Sequence, residues 1–271
     1  MISVTTPSIR PEMLEIVKKC LYRQTFKDFE WLICGVKFED IRELLSLKPG
    51  EKSIKSSITE GVIPVQEPPK REGDYYSLNK AWNALFKKAK GELIVNITDG
   101  IWFEPTLLEN LWNHYLANPK ACISCVGNQY DQLINGKPEH MTWRDPRIRT
   151  DQGAFYEVES SEMELCIASF PRQAVIDIGG FDEKYDQGAA LSEKEAMLRA
   201  QKSGYKMYLD QTLEYRAIHH PRLSKDWDDK YKIASEMYLQ DIKEILSNKR
   251  SRLAFLENSG TTRKVSENEP T

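Results

Sequence analysis

Up to Tyr115 the chain alternates short β-rich runs with amphipathic helical stretches, and few folds accommodate that order. Ile2–Thr6 is β-rich and stops at Pro7, and Pro11 opens a helix at a position where a missing N–H does no harm. Met13, Ile16, Val17, Cys20 and Leu21 then fall on one helical face. Trp31–Cys34 reads as a second strand, 38–47 as a helix ended by Pro49-Gly50, and Val62–Val65 as a third strand. Leu78, Ala81, Trp82, Leu85, Phe86 and Ala89 form one apolar stripe ended by Gly91, and Leu93–Ile97 follows as a buried strand. A further helix starts near Pro105. This alternation predicts an α/β fold, a mostly parallel central sheet with helices on both faces.

The pattern changes after residue 120. Asn135-Gly136 between two β-like stretches reads as a hairpin turn. Residues 143–160 are polar and aperiodic, as expected of a lid or a mobile loop. Glu162–Ser169 is a strand candidate, Arg172–Ile178 a short helix broken by Gly179-Gly180, and Ser192–Ser203 a helix with Ser192 as N-cap. Tyr205–Leu209 and Leu213–His219 read as two short strands, and 225–247 as a long charged helix that docks on the domain. The expected organisation is one catalytic domain over 1–224, a helical extension over 225–250 and a disordered polar tail over 251–271.

A net charge of −3 gives no bulk attraction for nucleic acid or an anionic membrane. Five cysteines, an odd number in 271 residues, argue for reduced thiols rather than a disulfide framework. Cys122 and Cys125 have C-x-x-C spacing, but a strand sends residues three apart to opposite faces, and no second pair completes a zinc site. No apolar run approaches the roughly 20 residues of a membrane span, and the first residues enter a strand without the pattern of a signal peptide. A cytoplasmic protein is the expectation.

Four segments, in order, resemble the inverting, family 2-type GT-A glycosyltransferases. They are Val4-Thr5-Thr6-Pro7-Ser8-Ile9-Arg10-Pro11 with Gln24-Thr25-Phe26-Lys27-Asp28-Phe29-Glu30, then Leu78-Asn79-Lys80-Ala81-Trp82-Asn83 with Gly91-Glu92. Next come Thr98-Asp99-Gly100-Ile101-Trp102-Phe103-Glu104-Pro105, at the place of the family's metal-binding Asp-x-Asp segment, and Gly179-Gly180-Phe181-Asp182-Glu183 with Ser192-Glu193-Lys194-Glu195, Arg199 and Gly204-Tyr205. The resemblance covers about residues 2 to 220 and is least specific over 120–165. It implies the GT-A fold of nucleotide-diphospho-sugar transferases. It also implies transfer of a sugar from a nucleotide-diphosphate donor, a UDP-sugar first among them, to an acceptor hydroxyl with help from Mn²⁺ or Mg²⁺.

The site expected from this likeness lies beyond the carboxyl ends of the strands, where open α/β sheets bind ligands. Thr6, Pro7, Ser8 and Gly35 would shape the nucleoside wall, Arg10 would meet phosphate or nucleoside, and Lys80 would reach the phosphates, with Asn83 and Thr98 beside it. Asp99 would hold the cation through a carboxylate oxygen, with His219 or His220 as a further ligand because Thr98 and Gly100 replace the usual flanking acids. Glu193 stands where the family has its base, Glu195 is the second candidate, and Asp182 would orient the acceptor. Trp102 and Trp143 are candidate sugar platforms. After strand two the family's base-binding Asp is missing, and Cys34-Gly35 stands there.

Two other readings are weighed against this one. A catalytically degenerate nucleotide- or glycan-binding module would explain the lost acids at Thr98, Gly100 and Gly35. A nucleotidyltransferase would need a glycine-rich basic loop after strand one, and Thr6-Pro7-Ser8-Ile9-Arg10 has no glycine. The acceptor, whether a glycan, a lipid-linked glycan, a protein or a nucleic acid, is left open.

Overall fold

A computed structural model of the chain describes residues 1–35, 61–75, 77–218 and 226–247. The helix expected over 38–47, the tail over 251–271 and both candidate histidines, His219 and His220, lie outside the described residues.

Ten strands among the described residues form one sheet. On its main path β3 (Gly61–Val65), β2 (Phe29–Cys34), β1 (Ile2–Pro7) and β4 (Leu93–Ile97) come first, followed by β9 (Ile167–Pro171), β6 (Ala121–Ile134), β10 (Lys206–Ile218) and β5 (Ile101–Phe103). The first four strands are mutually parallel, and β6 is parallel to β10. Between these two blocks β9 runs antiparallel to both neighbours, so the sheet is mixed. β7 (Lys137–Trp143) closes a hairpin on β6, and β8 (Phe155–Glu157) pairs with β10.

Every residue of β1, β2 and β4 is buried, as strands covered on both faces require. Their alternation builds two cores. Val4, Trp31, Ile33, Val95, Ile123 and Cys125 face α1 (Pro11–Tyr22) and α3 (Leu107–Ala117). Leu32, Cys34, Ile94, Cys122, Ala168 and Phe170 face α2 (Leu78–Lys88), α4 (Arg172–Ile178) and α5 (Ser192–Lys202). Cys122 and Cys125 thus lie on opposite faces, as the alternation predicts, and burial raises both thiols well above their ordinary range.

Four local expectations change. Leu78, assigned to the apolar stripe, is 38% exposed, whereas Asn79, Lys80 and Asn83 are buried. The reason is a 3₁₀ turn, Glu183–Gln187, packed against a second face of α2. Ser192 is already helical. The N-cap is Leu191, which together with Ala190 has a left-handed backbone (φ 68° and 65°). The two strands expected over 205–219 are one, β10, with a register shift opposite β6 between Asp210 and Glu214. There the Asp210 carboxylate accepts from the Thr212 N–H and hydroxyl. Finally, the polar stretch after Trp143 is fastened along β6. Asp145, 3% exposed, accepts from the Gly127 N–H at 2.9 Å, and Arg147 donates to Asp145, Ser124 Oγ and the carbonyls of Cys125 and Glu162.

The long helix α6 (Trp227–Leu246) packs on α5 and on the 183–187 turn. Asp241, fully buried, accepts from Lys184 Nζ at 2.6 Å and from the Tyr185 hydroxyl at 2.8 Å. Gly188 is pressed so closely on this helix that a Cβ there would meet the Ala234 Cβ at 2.9 Å. Among the described residues no helix is long and apolar enough to cross a membrane.

Candidate functional site

At the carboxyl ends of β1, β2 and β4 the chain forms an open cavity of about 740 Å³. Its shape is set by the main chain. Ser8 N–H donates to the Cys34 carbonyl at 2.8 Å. Gly35 turns away at φ 105°, where a Cβ would stand 2.5 Å from the Ser8 carbonyl oxygen, so no other residue fits without moving the two strand ends apart. The Thr98-Asp99-Gly100 turn is held from three sides: Thr98 N–H to the Cys166 carbonyl, Gly100 N–H to the Met13 carbonyl, and Ile218 N–H to the Gly100 carbonyl.

Asp99 projects from this turn, 7% exposed. Arg10 Nε donates to its Oδ2 at 3.1 Å and Nη2 to its Oδ1, while Ser8 Oγ donates to Oδ2 at 2.5 Å. The arrangement is a bidentate fork between planar groups. It neutralises the Asp99 carboxylate and fixes the guanidinium in the cavity wall.

Another part of the wall is reached through the left-handed pair Ala190–Leu191, after which Ser192 and Glu193 line the cavity. Burial raises the Glu193 carboxyl above the usual carboxylate range, and the nearby charge of Glu164 adds to the effect. Glu164 also lines the cavity, from the stretch just before β9. Because β9 is reversed, its approach rather than its exit lies at this edge of the sheet.

Seven of the residues expected from the sequence therefore share one cavity: Pro7, Ser8, Arg10, Gly35, Thr98, Asp99 and Glu193. Five others have partners elsewhere. Thr6 is buried in the sheet, where its hydroxyl accepts from Trp31 Nε1 at 3.0 Å. Lys80 is 2% exposed and pairs with Asp74, whose carboxyl it helps to lower. Asn83 closes the Gly180-Phe181 turn, its Oδ1 accepting from Phe181 N–H and its Nδ2 donating to Phe181 O, both at 2.8 Å. Asp182 accepts from Lys184 N–H at 3.0 Å and starts the 183–187 turn. Glu195 is fully buried against Arg199, whose Nε and Nη2 reach its two oxygens at 2.7 and 2.8 Å. Its helix position turns it into the core, away from the cavity. Trp102 is 2% exposed beneath the guanidinium of Arg216, 5.1 Å from the ring centroid, so no sugar can stack on it. Trp143 is exposed on β7, outside the cavity lining.

Glu67, Asp186, Glu164 and Trp227 are among the lining residues that escape the sequence reading. Glu67 follows β3 and sits beside Cys34, whose thiol is pushed up to about 12 by burial and by the Glu67 charge. One Glu67 oxygen, Oε1, accepts from Ser77 Oγ. The strand-end rule that singles out 6–8 and 98–100 applies equally to Glu67, two residues past a predicted strand. Asp186, fully buried, accepts from the Asn79 and Lys80 N–H groups at 2.8 and 3.2 Å and so caps α2 from another element; burial lifts its carboxyl to about 6. Glu164 and Trp227 are brought in by the reversed strand and by α6. No short-range pattern marks them.

The described residues alone do not make a divalent-cation site. No group of three His, Cys, Asp or Glu among them could hold a metal, and Asp99, the single acid in its turn, is already engaged by Arg10 and Ser8.

No protein-family model and no curated protein sequence matches the chain. Solved structures do resemble it. S. aureus TarS 1–349 superposes with a TM-score of 0.57 at 14% identity, over 89% of this chain and 65% of that one. The same protein in complex with UDP gives 0.54 at 14% identity, over 91% and 72%. GalNAc-T7 with UDP, GalNAc and Mn²⁺ gives 0.61 at 13% identity, over 90% of this chain and 50% of that one. The chain thus spans just under two thirds of TarS 1–349 and half of GalNAc-T7. These likenesses identify the fold as GT-A.

Proposed function

We propose that the chain is a glycosyltransferase that takes a sugar from a nucleotide-diphosphate donor, a UDP-sugar, and passes it to an acceptor hydroxyl with inversion. The observation that carries this reading is the convergence of Glu67, Arg10 and Glu193 on one cavity at the carboxyl ends of the parallel strands. UDP bound to TarS, and UDP with GalNAc and Mn²⁺ bound to GalNAc-T7, support the donor class.

The chemistry follows from that set of groups. Arg10 is the charge that meets the diphosphate as negative charge grows on the leaving nucleoside diphosphate, and Asp99 and Ser8 hold its fork in place. Glu193 takes the proton of the attacking hydroxyl. Its raised pKa makes it a stronger base than an exposed carboxylate, and it is ionised once the pH exceeds that value. The nucleoside lies against Glu67, beside Cys34 at the end of β2. With Oε1 of Glu67 held by Ser77, the carboxylate offers its other oxygen as a lone acceptor. A lone acceptor matches the single imide N–H of uracil, whereas guanine presents two parallel donors.

The decisive experiment is a panel of UDP-, GDP-, CDP- and TDP-sugars assayed for hydrolysis and binding, each with Mn²⁺, with Mg²⁺ and with EDTA. Release of UDP from one donor, lost in Glu193→Gln, is the expected result, and the EDTA arm decides the metal requirement. Failure of every donor to bind would overturn the reading. Binding without release under all conditions, even with acceptor supplied, would favour the degenerate binding module, for which the loss of flanking acids around Asp99 speaks.

A further inference from the structure

Two residues in a row, Ala190 and Leu191, are left-handed, at φ 65° and 68°. A residue with a Cβ is strained in that region, and a non-glycine pair stays there only while its surroundings hold it. The strained pair leads straight into α5, just before Ser192 and Glu193. The body of α5 is anchored by Arg199, which pairs with Glu195 and donates to the carbonyls of Ile178 and Gly180. Other contacts hold the loop that enters it.

α6 supplies them. The Lys230 carbonyl accepts from Ala189 N–H at 3.1 Å, next to the strained pair. A Cβ on Gly188 would meet the Ala234 Cβ at 2.9 Å and the Lys230 carbonyl oxygen at 3.0 Å. The Gly188 backbone, at φ −116°, is open to any residue, so the contact with α6 alone requires glycine. Leu191 packs with Tyr185 and Ala234, and Ala190, Met237 and Tyr238 close round them. Farther along α6, Asp241 accepts from Lys184 Nζ and the Tyr185 hydroxyl and so fastens the start of the same segment. Burial raises the Tyr238 phenol, and the charges of Glu193 and Glu195 add to the effect, so the ring lies within reach of both carboxylates.

We propose that α6 positions the base: through Gly188 and Asp241 it holds the strained Ala190–Leu191 pair, and the pair sets the Glu193 carboxylate in the cavity. The inference rests on the transferase reading above, with Glu193 as the base. When α6 is displaced, the pair relaxes toward negative φ, the first turn of α5 shifts, and water reaches Glu193. The rate then falls, while a nucleotide held by Arg10 and Glu67 binds as before. Among the described residues, the charged or titratable groups about Glu193 are Glu164 and Cys166 before β9, Lys194 and Glu195 of its own helix, and Tyr238 of α6. None of these is substituted in the test, so a moved pH profile reports the setting of Glu193 itself.

The test uses the full chain, the donor from which it releases UDP, and two variants. Gly188→Ala pushes α6 off the loop. Asp241→Asn is isosteric and leaves the packing in place, so it decides the matter if the first does not fold. Relative to wild type, kcat for UDP release should fall about tenfold or more in Gly188→Ala and about threefold or more in Asp241→Asn. The UDP dissociation constant, by calorimetry, should stay within about twofold of wild type. The rise of rate with pH should move to lower pH in both, because a wetter carboxyl ionises more readily. A kcat and pH profile like wild type in either folded variant, with only the unfolding midpoint lowered, overturns the proposal, since a purely structural contact moves nothing else. So does a loss of UDP affinity that matches the loss of rate, by making α6 a support of the whole cavity. Failure of the wild-type chain to release UDP from any donor overturns the transferase reading first, and this inference with it.

Discussion

Arg10 and Asp99 stand 89 residues apart in sequence, and the guanidinium of one grips the carboxylate of the other in the cavity wall. The pair is largely buried, at 19% and 7% exposure, so it holds its geometry better than a surface ion pair does. Two strand ends are joined by it. A lysine cannot reproduce the fork. Arg10→Lys should weaken UDP binding about tenfold, roughly 1.4 kcal/mol, as measured by calorimetry. Asp99→Asn should weaken it by a similar factor, through a guanidinium left loose. Unchanged affinity in Arg10→Lys would remove the guanidinium from the diphosphate site.

Base preference should follow Glu67. Glu67→Gln replaces an acceptor by a group that also donates, and its N–H₂ would face either Ser77 or the imide N–H of uracil. UDP binding should fall about tenfold, with GDP and CDP little changed, so that the preference narrows. A uniform loss across all bases would mean that Glu67 supports the wall and does not read the base.

The pH dependence of transfer should report Glu193. Burial first, and the Glu164 charge second, raise its pKa. The rate should therefore rise with pH through a value above the ordinary carboxylate range and then level off. Glu164→Gln removes the repulsion and should move that rise to lower pH. Glu193→Gln should reduce kcat by about 10²- to 10⁴-fold with donor affinity kept. Glu195→Gln should act differently. Breaking its fully buried pair with Arg199 should cost about 3–5 kcal/mol of stability, seen in denaturant unfolding rather than as a shifted rate profile.

Asp186 links stability to pH. Its carboxyl is raised from 3.8 to about 6 in the folded chain, mainly by burial. Between those values the folded state holds a proton that the unfolded state has released, so stability falls as pH rises. The contribution is complete below about pH 4 and gone above about pH 6, with a ceiling of roughly 3 kcal/mol. Unfolding midpoints compared at pH 4 and pH 6.5 should show a smaller fall in Asp186→Asn than in wild type, the remainder coming from other raised carboxyls such as Glu193. Equal slopes would exclude Asp186 as its source.

The first half of the fold was legible in the sequence because it is built from local signals. Pro11 opens α1, Gly91 precedes β4, and the alternation of Trp31, Leu32, Ile33 and Cys34 sorts them onto two faces. The residues that the strand ends carry to the cavity, Ser8, Arg10 and Asp99 among them, follow from the same reading. Periodicity fails where tertiary partners decide. Lys80 and Asn83 look like a polar helix face, yet the 183–187 turn buries them and Asp74 and Phe181 take up their polar atoms. Glu193 and Glu195 both open the acidic helix, and a salt bridge to Arg199 holds Glu195 in the core while Glu193 lines the cavity. Trp227 could not be read from the sequence at all, because α6 reaches the cavity only by packing on elements 40 residues earlier, as the 57-residue span from Lys184 to Asp241 illustrates.

At Gly35 and Ser8 the cavity wall is drawn in peptide groups, with the two strand ends too close for any side chain to intervene. A recess made this way is inherited with the backbone and is indifferent to most exchanges of the letters around it. On the proposed nucleotide-sugar reading, the chemistry that reads a ligand there is carried by a few replaceable side chains, Glu67 foremost, standing on a mould that does not change with them. A lineage could re-tune which nucleotide it accepts one residue at a time and never pass through a misshapen intermediate.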